Sequence, residues 1–322
     1  MSDAVLHVHD LSRYFRVGGL RSHGQLHALD DVSFEVAAGE IVALVGESGS
    51  GKSTIARVLA GLYEPTHGTI TFEGEALKGR MSRKVRGRMP MVFQDPFGSI
   101  NPVLRVGHSL LRSLKLHRPE LDREGRQREA VALVERVGLT PGEEALRRYP
   151  HQLSGGQRQR LGFAQALASN PSLILADEPV SMLDVSIRIG LLNVMKTLRD
   201  HEGVSLLYIT HDLASARYVA NRMIVLYAGR IAEEGLTDEV IRNPQHPYTQ
   251  LLMSTAPDPR LPLADIEGER DLGEPPKVID PGPGCRFAPR CPLAMDVCRT
   301  TTPTMVTLSA THRAACFAVK AT

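Results

Sequence analysis

The stretch best equipped for chemistry is Gly46-Glu47-Ser48-Gly49-Ser50-Gly51-Lys52-Ser53-Thr54. It matches G-x-x-x-x-G-K-S, the pattern of a phosphate-cradling loop. Glycines at 46, 49 and 51 let the backbone turn tightly and approach a ligand closely. The loop amides and the start of a following helix then present several N–H donors to an anion. In that arrangement Lys52 reaches the β- and γ-phosphates, and Ser53 places its hydroxyl on Mg²⁺. A second reactive group, Asp177-Glu178, ends the apolar run Leu173-Ile174-Leu175-Ala176. Strand ends are where α/β folds place their chemistry. Asp177 is expected to hold Mg²⁺, directly or through water, and Glu178 to polarise an attacking water. His211 ends the run Ser205 to Thr210 in the same way, a placement suited to a γ-phosphate contact. The chain has 12 histidines, and no other has comparable surroundings.

The elements that must position these groups are also legible. Ile41 to Val45 reads as a buried strand before the loop. Ile55, Val58, Leu59 and Leu62 recur as one helix face behind it. Residues 4 to 45 are strand-rich, with Val32, Phe34 and Val36 alternating, a turn at Ala38-Gly39 and a mobile hairpin tip from Gly18 to His27. Tyr14-Phe15 either stacks on a nucleotide base or packs in the sheet. Thr69 to Phe72, then Glu73-Gly74, reads as strand and turn. Met91-Val92-Phe93-Gln94-Asp95-Pro96 is a short strand ending in polar residues. Residues from about 104 to 150 are expected to be helical, with an apolar stripe at Ala130, Leu133, Val134 and Val137 stopped by Gly138. Lys78, Arg80, Arg83, Lys84, Arg86 and Arg88 read as a solvated basic face, and no aromatics interleave with them as in a nucleic-acid groove.

Leu153-Ser154-Gly155-Gly156-Gln157 has a capping-box spacing at Ser154 and Gln157, and Leu161, Ala164 and Ala168 continue a helix. Paired glycines weaken a first turn, so close approach of something to the backbone is expected, with amides again suited to phosphate. A loop at Ser181-Met182-Leu183-Asp184 leads into a helix bearing Ile187, Leu191, Met195 and Leu198, ended by Gly203.

The 322 residues are enough for one large domain and a smaller appendage. Hydrophobic content of 42% is that of a soluble globular protein, and no apolar run is of membrane-spanning length. Met1-Ser2-Asp3-Ala4-Val5 lacks the pattern of a secretory signal. A net charge of +2 argues against whole-surface attraction to nucleic acid or membrane.

Taken in order, these residues resemble the ATP-binding subunits of ABC transporters. Leu153 to Gln157 is the family's LSGGQ signature unmodified, Leu173 to Asp177 looks like its Walker B strand, and Glu178 matches its catalytic glutamate. Gln94 matches the Q-loop, Asp184 the D-loop, His211 the switch histidine and Phe15 the adenine-stacking aromatic, with Tyr14 a weaker match. The motifs keep the family's order over about 200 residues. The resemblance implies an α/β fold: a RecA-like P-loop NTPase core with an antiparallel β subdomain and an α-helical subdomain at about residues 95–160. It also implies two such subunits head to tail. ATP then lies between Gly46, Glu47, Ser48, Gly49, Ser50, Gly51, Lys52, Ser53 and Thr54 of one and Ser154, Gly155, Gly156 and Gln157 of the other. Mg²⁺ would be held by Ser53, Gln94 and Asp177, and Lys52, Gln94, Glu178 and His211 would carry hydrolysis.

Val45 to Gly49, Phe93 to Pro96 and especially Asn243-Pro244-Gln245-His246-Pro247-Tyr248-Thr249 look like the oligopeptide/dipeptide importers. So do Gly273-Glu274-Pro275-Pro276, Gly284-Cys285-Arg286-Phe287 and Arg290-Cys291-Pro292. Residues 1–255 then form the ATPase domain and 256–322 an extension, proline-rich and linker-like at first. The likeness is greater to the second ATPase subunit of such importers. The implied partners are a sister ATPase, two permease subunits and an extracytoplasmic binding protein, with this chain at the cytoplasmic face of the cell membrane. A soluble ABC-type ATPase acting on nucleic acid or ribosomes is the alternative. This chain carries neither the tandem cassette nor the coiled coil common there.

All 4 cysteines follow Gly284, as C-x5-C-x6-C-x17-C at Cys285, Cys291, Cys298 and Cys316. The spacing is equally that of a metal centre or of free thiols, with disulfides a third option. Some members of the resembled subfamily carry a [4Fe-4S] cluster on these cysteines, so the resemblance implies one here, within a small cysteine-containing C-terminal domain.

Overall fold

In a computed structural model the described residues are 4–18, 24–77, 79, 81–95, 100–255 and 278–319. The core is a sheet whose central strands are continuous apolar runs, because both of its faces are covered. β3 (Ile41–Val45), β7 (Leu173–Asp177) and β8 (Ser205–Thr210) are buried along their whole length. They run parallel with β6 (Met91–Val92) and β9 (Arg222–Tyr227) in the order β6-β7-β8-β3-β9. Val45 pairs with Thr210 and Asp177 with Ile209, so β3, β7 and β8 end at one level. This shared edge presents the loop after β3, the carboxylates after β7 and the histidine after β8 to the same space.

A four-stranded antiparallel sheet covers one side: β1 (Ala4–Val17), β2 (Gly24–Ala37), β4 (His67–Phe72) and β5 (Glu75–Ala76), in the order β2-β1-β4-β5. Its inward residues Leu6, Leu11, Val32, Phe34 and Val36 share a core with Ile55 and Leu59 of α1 (Lys52–Leu59). Each such fully buried side chain contributes roughly 1.5–3 kcal/mol. Leu62, expected on the same helix face, lies past the helix end and is 57% exposed. Gly61, at φ 70°, turns the chain away first.

After the short basic helix α2 (Arg83–Arg88), the expected helical stretch divides into α3 (Val106–His117), α4 (Arg123–Arg136) and α5 (Gly142–Arg147). The stripe Ala130, Leu133, Val134 and Val137 is fully buried with Leu110 and Leu114 of α3. Arg83, Lys84 and Arg86 are exposed, as a solvated face requires, whereas Arg88 pairs with Glu73. Lys78 and Arg80 are outside the described residues.

α6 (Gly155–Leu167), α7 (Val185–Glu202) and α8 (Leu213–Val219) follow. Gly203, at φ 66°, is the left-handed cap that stops α7. β10 (Arg230–Leu236) pairs antiparallel with β9, and α9 (Thr237–Arg242) and α10 (Pro247–Thr255) come after it. The last part adds α11 (Asp296–Thr300) and the two-residue strands β11 (Val306–Thr307) and β12 (Arg313–Ala314). β12 pairs with β10, so the C-terminal segment extends the main sheet. At this seam Glu233, fully buried, accepts the amides of Gln245 and His246 at 2.8 Å and lies 2.6 Å from His312 Nε2. A buried carboxylate is tolerated because it is paired in this way. Of the hairpin tip expected from Gly18 to His27, Gly24 to His27 instead belong to β2 and pair with β1, and residues 19–23 are outside the described residues, as are 256–277 with Gly273-Glu274-Pro275-Pro276.

Candidate nucleotide site

The loop between β3 and α1 is forced into shape by its surroundings. Gly46 has φ 151°, and a Cβ there would meet the Leu226 carbonyl oxygen at 2.2 Å. Gly51 has φ 108°, and a Cβ would meet the Ala28 carbonyl oxygen at 2.5 Å. Ser48 and Gly49 are exposed, Thr54 lies in the first turn of α1, and the buried Ser50 hydroxyl has no hydrogen-bond partner. Lys52, 5% exposed, folds back to donate to the carbonyls of Gly46 at 2.7 Å and Glu47 at 2.8 Å. Burial pushes its pKa down, against the opposing charges of Glu178, Asp177 and Glu47. These groups fit a phosphate chain: loop amides, an ammonium and a spare hydroxyl converge on one turn.

Beside them, Ser53 donates its hydroxyl to Asp177 Oδ1 at 3.0 Å. Burial raises the Asp177 pKa, the Ser53 hydrogen bond lowers it and the neighbouring Glu178 charge raises it further. Hydroxyl and carboxylate oxygens are the hard donors that Mg²⁺ takes. Glu178 sits at φ 46°, a left-handed conformation that costs a non-glycine residue energy, while its amide donates to the Ile209 carbonyl at 2.9 Å. Its carboxylate is flanked on both oxygens. Gln94 Nε2 donates to Oε2 at 3.1 Å, and His211 Nδ1 lies 3.1 Å from Oε1. Gln94 is itself held through its carbonyl, which accepts from Gln159 Nε2 at 2.7 Å.

The comparisons bear on the whole chain. Residues 29–181 match the family model described as "ABC transporter", and residues 232–298 match "Oligopeptide/dipeptide transporter, C-terminal region". A probable peptide ABC transporter ATP-binding protein, y4tS of Sinorhizobium fredii, is 43% identical over 98% of this chain and 90% of its own length. The chain belongs to the ATP-binding subunits of the oligopeptide/dipeptide ABC transporters. The oligopeptide transport ATP-binding protein OppF of Salmonella typhimurium is 42% identical over 87% of this chain and 84% of its own. Among solved structures, a dimeric ATP-binding cassette in a post-hydrolysis state bound to ADP and Pi superposes with a TM-score of 0.64 at 28% identity. It covers 72% of this chain and 98% of that one.

Against that family frame, the remaining expected residues fall in two places. Ser154 and Gln157 form the expected capping box at the start of α6. Ser154 and Gly155 stay exposed there, as does Asp184, the residue before α7. Gly156 has a reason within the chain: a Cβ there would meet Ile187 Cγ2 at 2.1 Å. Phe15 is partly exposed, under the Arg13 guanidinium at 4.6 Å and edge-on to Tyr63 at 5.3 Å. Tyr14 is committed elsewhere, stacking on His27 and donating its hydroxyl to Asp30 at 2.7 Å.

The [4Fe-4S] expectation on Cys285, Cys291, Cys298 and Cys316 is corrected. The four thiols line one cavity of about 10 Å³ and are free. Among the described residues no three His, Cys, Asp or Glu side chains form a group able to hold a metal ion. Burial raises the thiol pKa of Cys285, Cys291 and Cys316. Phe287, Leu293, Met295 and Phe317 line the same cavity, together with the buried His246, and the cysteines pack here as small apolar side chains.

Proposed function

We propose that this chain is the ATP-binding and hydrolysing subunit of an ABC importer that energises uptake of peptides. The observation that carries the proposal is the flanking of Glu178 by Gln94 and His211, beside the Ser53–Asp177 pair and Lys52. Lys52 would exchange the carbonyls of Gly46 and Glu47 for phosphate oxygens, and the amides from Ser48 to Ser53 would donate to the same anion. Ser53, Asp177 and Gln94 would hold Mg²⁺, which when bound offsets phosphate charge. Glu178, held on both carboxylate oxygens, orients the attacking water and takes its proton. His211 and Gln94 keep that carboxylate aimed. Because phosphoryl transfer rests mainly on positioning and charge, these contacts are the catalyst.

Two subunits would close on the nucleotide head to tail. The exposed Ser154, Gly155 and Asp184, with Gly156 and the half-buried Gln157, would then serve the ATP held by the neighbour, and Phe15 would stack on adenine. The exposed apolar Met182 and Val185 beside Asp184 support burial at that contact. The neighbour is a sister ATPase, and two permease subunits and an extracytoplasmic binding protein complete the assembly. The chain would sit peripherally at the cytoplasmic face; among the described residues no helix is long and apolar enough to cross a membrane.

The test is peptide uptake into vesicles holding the assembled transporter. Uptake should require ATP and stop with Lys52→Ala. Uptake that survives this variant removes Lys52 and its loop from the coupling.

A further inference from the structure

Glu47 sits inside the phosphate loop, yet its side chain is bound by the far end of the chain. Arg290, 243 positions later, donates to its carboxylate with both terminal nitrogens, Nη1 to Oε2 at 2.8 Å and Nη2 to Oε1 at 2.9 Å. The Arg290 side chain is 10% exposed and that of Glu47 24%. Arg290 belongs to the single turn Ala288–Arg290, directly before Cys291. Its guanidinium lies over the rings of Tyr227 at 5.7 Å and Phe287 at 5.8 Å, and it donates to the Tyr227 hydroxyl at 3.2 Å. The Glu47 amide is held too, donating to the Tyr248 hydroxyl at 2.8 Å. Tyr248, fully buried, packs against Phe287. The opposite side of the loop is braced by the turn between β9 and β10, which the C-terminal segment itself holds. The Gly229 amide donates to the Ser50 carbonyl at 2.8 Å, and Arg286 donates to the adjoining Ala228 carbonyl and to Asp30.

Two consequences follow from elementary electrostatics. A carboxylate within a loop that must accept a polyanion opposes binding unless a cation neutralises it. A planar bidentate fork also fixes the orientation of its partner, as an ammonium would not. The Glu47 carbonyl meanwhile accepts from Lys52, so the conformation at 47 reaches the lysine as well.

We propose that Arg290 is a positioning residue for the phosphate loop that acts by neutralising the Glu47 carboxylate, so that ATP affinity depends on the docked C-terminal segment. The proposal rests on the reading that Gly46 to Thr54 bind the phosphates of ATP.

The test measures the Kd of a fluorescent ATP analogue with Mg²⁺ on the purified full chain, alongside Tm for each variant. Arg290→Ala should raise Kd about tenfold, the scale of losing a charge-assisted bidentate pair. Arg290→Lys should fall between, since it restores charge without the fork. Glu47→Gln alone should tighten binding, because it removes the repelling charge and leaves Arg290 beside the phosphates. Combining Glu47→Gln with Arg290→Ala should bring Kd back to within about threefold of wild type. A segment that only packs would lower Tm in Arg290→Ala with no rescue of Kd by Glu47→Gln. Wild-type affinity in Arg290→Ala, or a double variant as weak as Arg290→Ala, overturns the proposal. If Arg290→Ala does not fold, Glu47→Gln decides alone: tighter binding supports the proposal, and unchanged or weaker binding overturns it. A wild-type chain that binds no Mg-ATP defeats the nucleotide-site reading itself, a separate outcome.

Discussion

Ser53 donates its hydroxyl to Asp177 across 3.0 Å, joining the first turn of the helix after the phosphate loop to the end of a core strand. Asp177 is 7% exposed, and burial is the largest cause of its raised pKa. The folded chain therefore binds this proton more tightly than the unfolded chain. The corresponding stability is present below the ordinary carboxylate value and is lost as pH rises through the raised one. Asp177→Asn keeps an acceptor for Ser53 without the charge. It should raise Tm of the nucleotide-free protein at neutral pH. It should also abolish Mg²⁺-dependent hydrolysis. Thermal scans and ATPase rates on one preparation check both.

The pair of contacts on Glu178 makes a different prediction. Glu178→Gln keeps hydrogen-bonding capacity toward Gln94 and His211 but cannot take a proton. ATP affinity should stay near wild type while turnover falls by about 10²–10⁴-fold, the range for losing a general base. A closed, ATP-bound dimer should accumulate and be visible by size-exclusion chromatography. Wild-type turnover would remove Glu178 from its role.

His246 should set an acid limit on stability. It is buried, its Nδ1 accepts the Tyr248 amide at 3.0 Å, and burial pushes its pKa down to about 4. The folded state thus favours neutral imidazole. The stabilisation is full above the ordinary histidine value and is lost as pH falls toward the folded value. Between about pH 6.5 and 4 the loss approaches about 3 kcal/mol. Denaturant midpoints at several pH values should show this limb in wild type and a flatter one in His246→Gln.

Gly156 tests packing apart from nucleotide. A Cβ there collides with Ile187, so Gly156→Ala should destabilise the protein by about 1–3 kcal/mol, as overpacking does. Ile187→Ala in the same chain should recover much of that loss, measured by denaturant unfolding.

Much of this architecture was legible in the residues. The apolar runs ending at Val45, Asp177 and Thr210 are strands because they are buried on both faces, and their shared edge follows from parallel pairing. The capping box at Ser154 and the stripe at Ala130 to Val137 are local patterns, and local patterns survive into structure. Leu62 misled because helical periodicity continues past Gly61, where the backbone does not. The closeness expected at Gly156 is real, but a side chain of the same protein supplies it. Cysteine spacing gave no measure of whether four thiols converge as ligands or pack as apolar groups. The Arg290–Glu47 pair was out of reach, since it depends on how the C-terminal segment docks beyond β10. Both residues stood in quoted motifs, Glu47 as a general loop contact and Arg290 without a role.

The central claim is that Gly46 to Thr54 grip the phosphates of ATP with Mg²⁺ between Ser53 and Asp177. Equilibrium binding of ATP to the purified chain, with Mg²⁺ or with EDTA, measures this most directly. The account predicts saturable binding that weakens at least tenfold in EDTA and is lost in Lys52→Ala. Binding of equal strength in EDTA, or in Lys52→Ala, would contradict it.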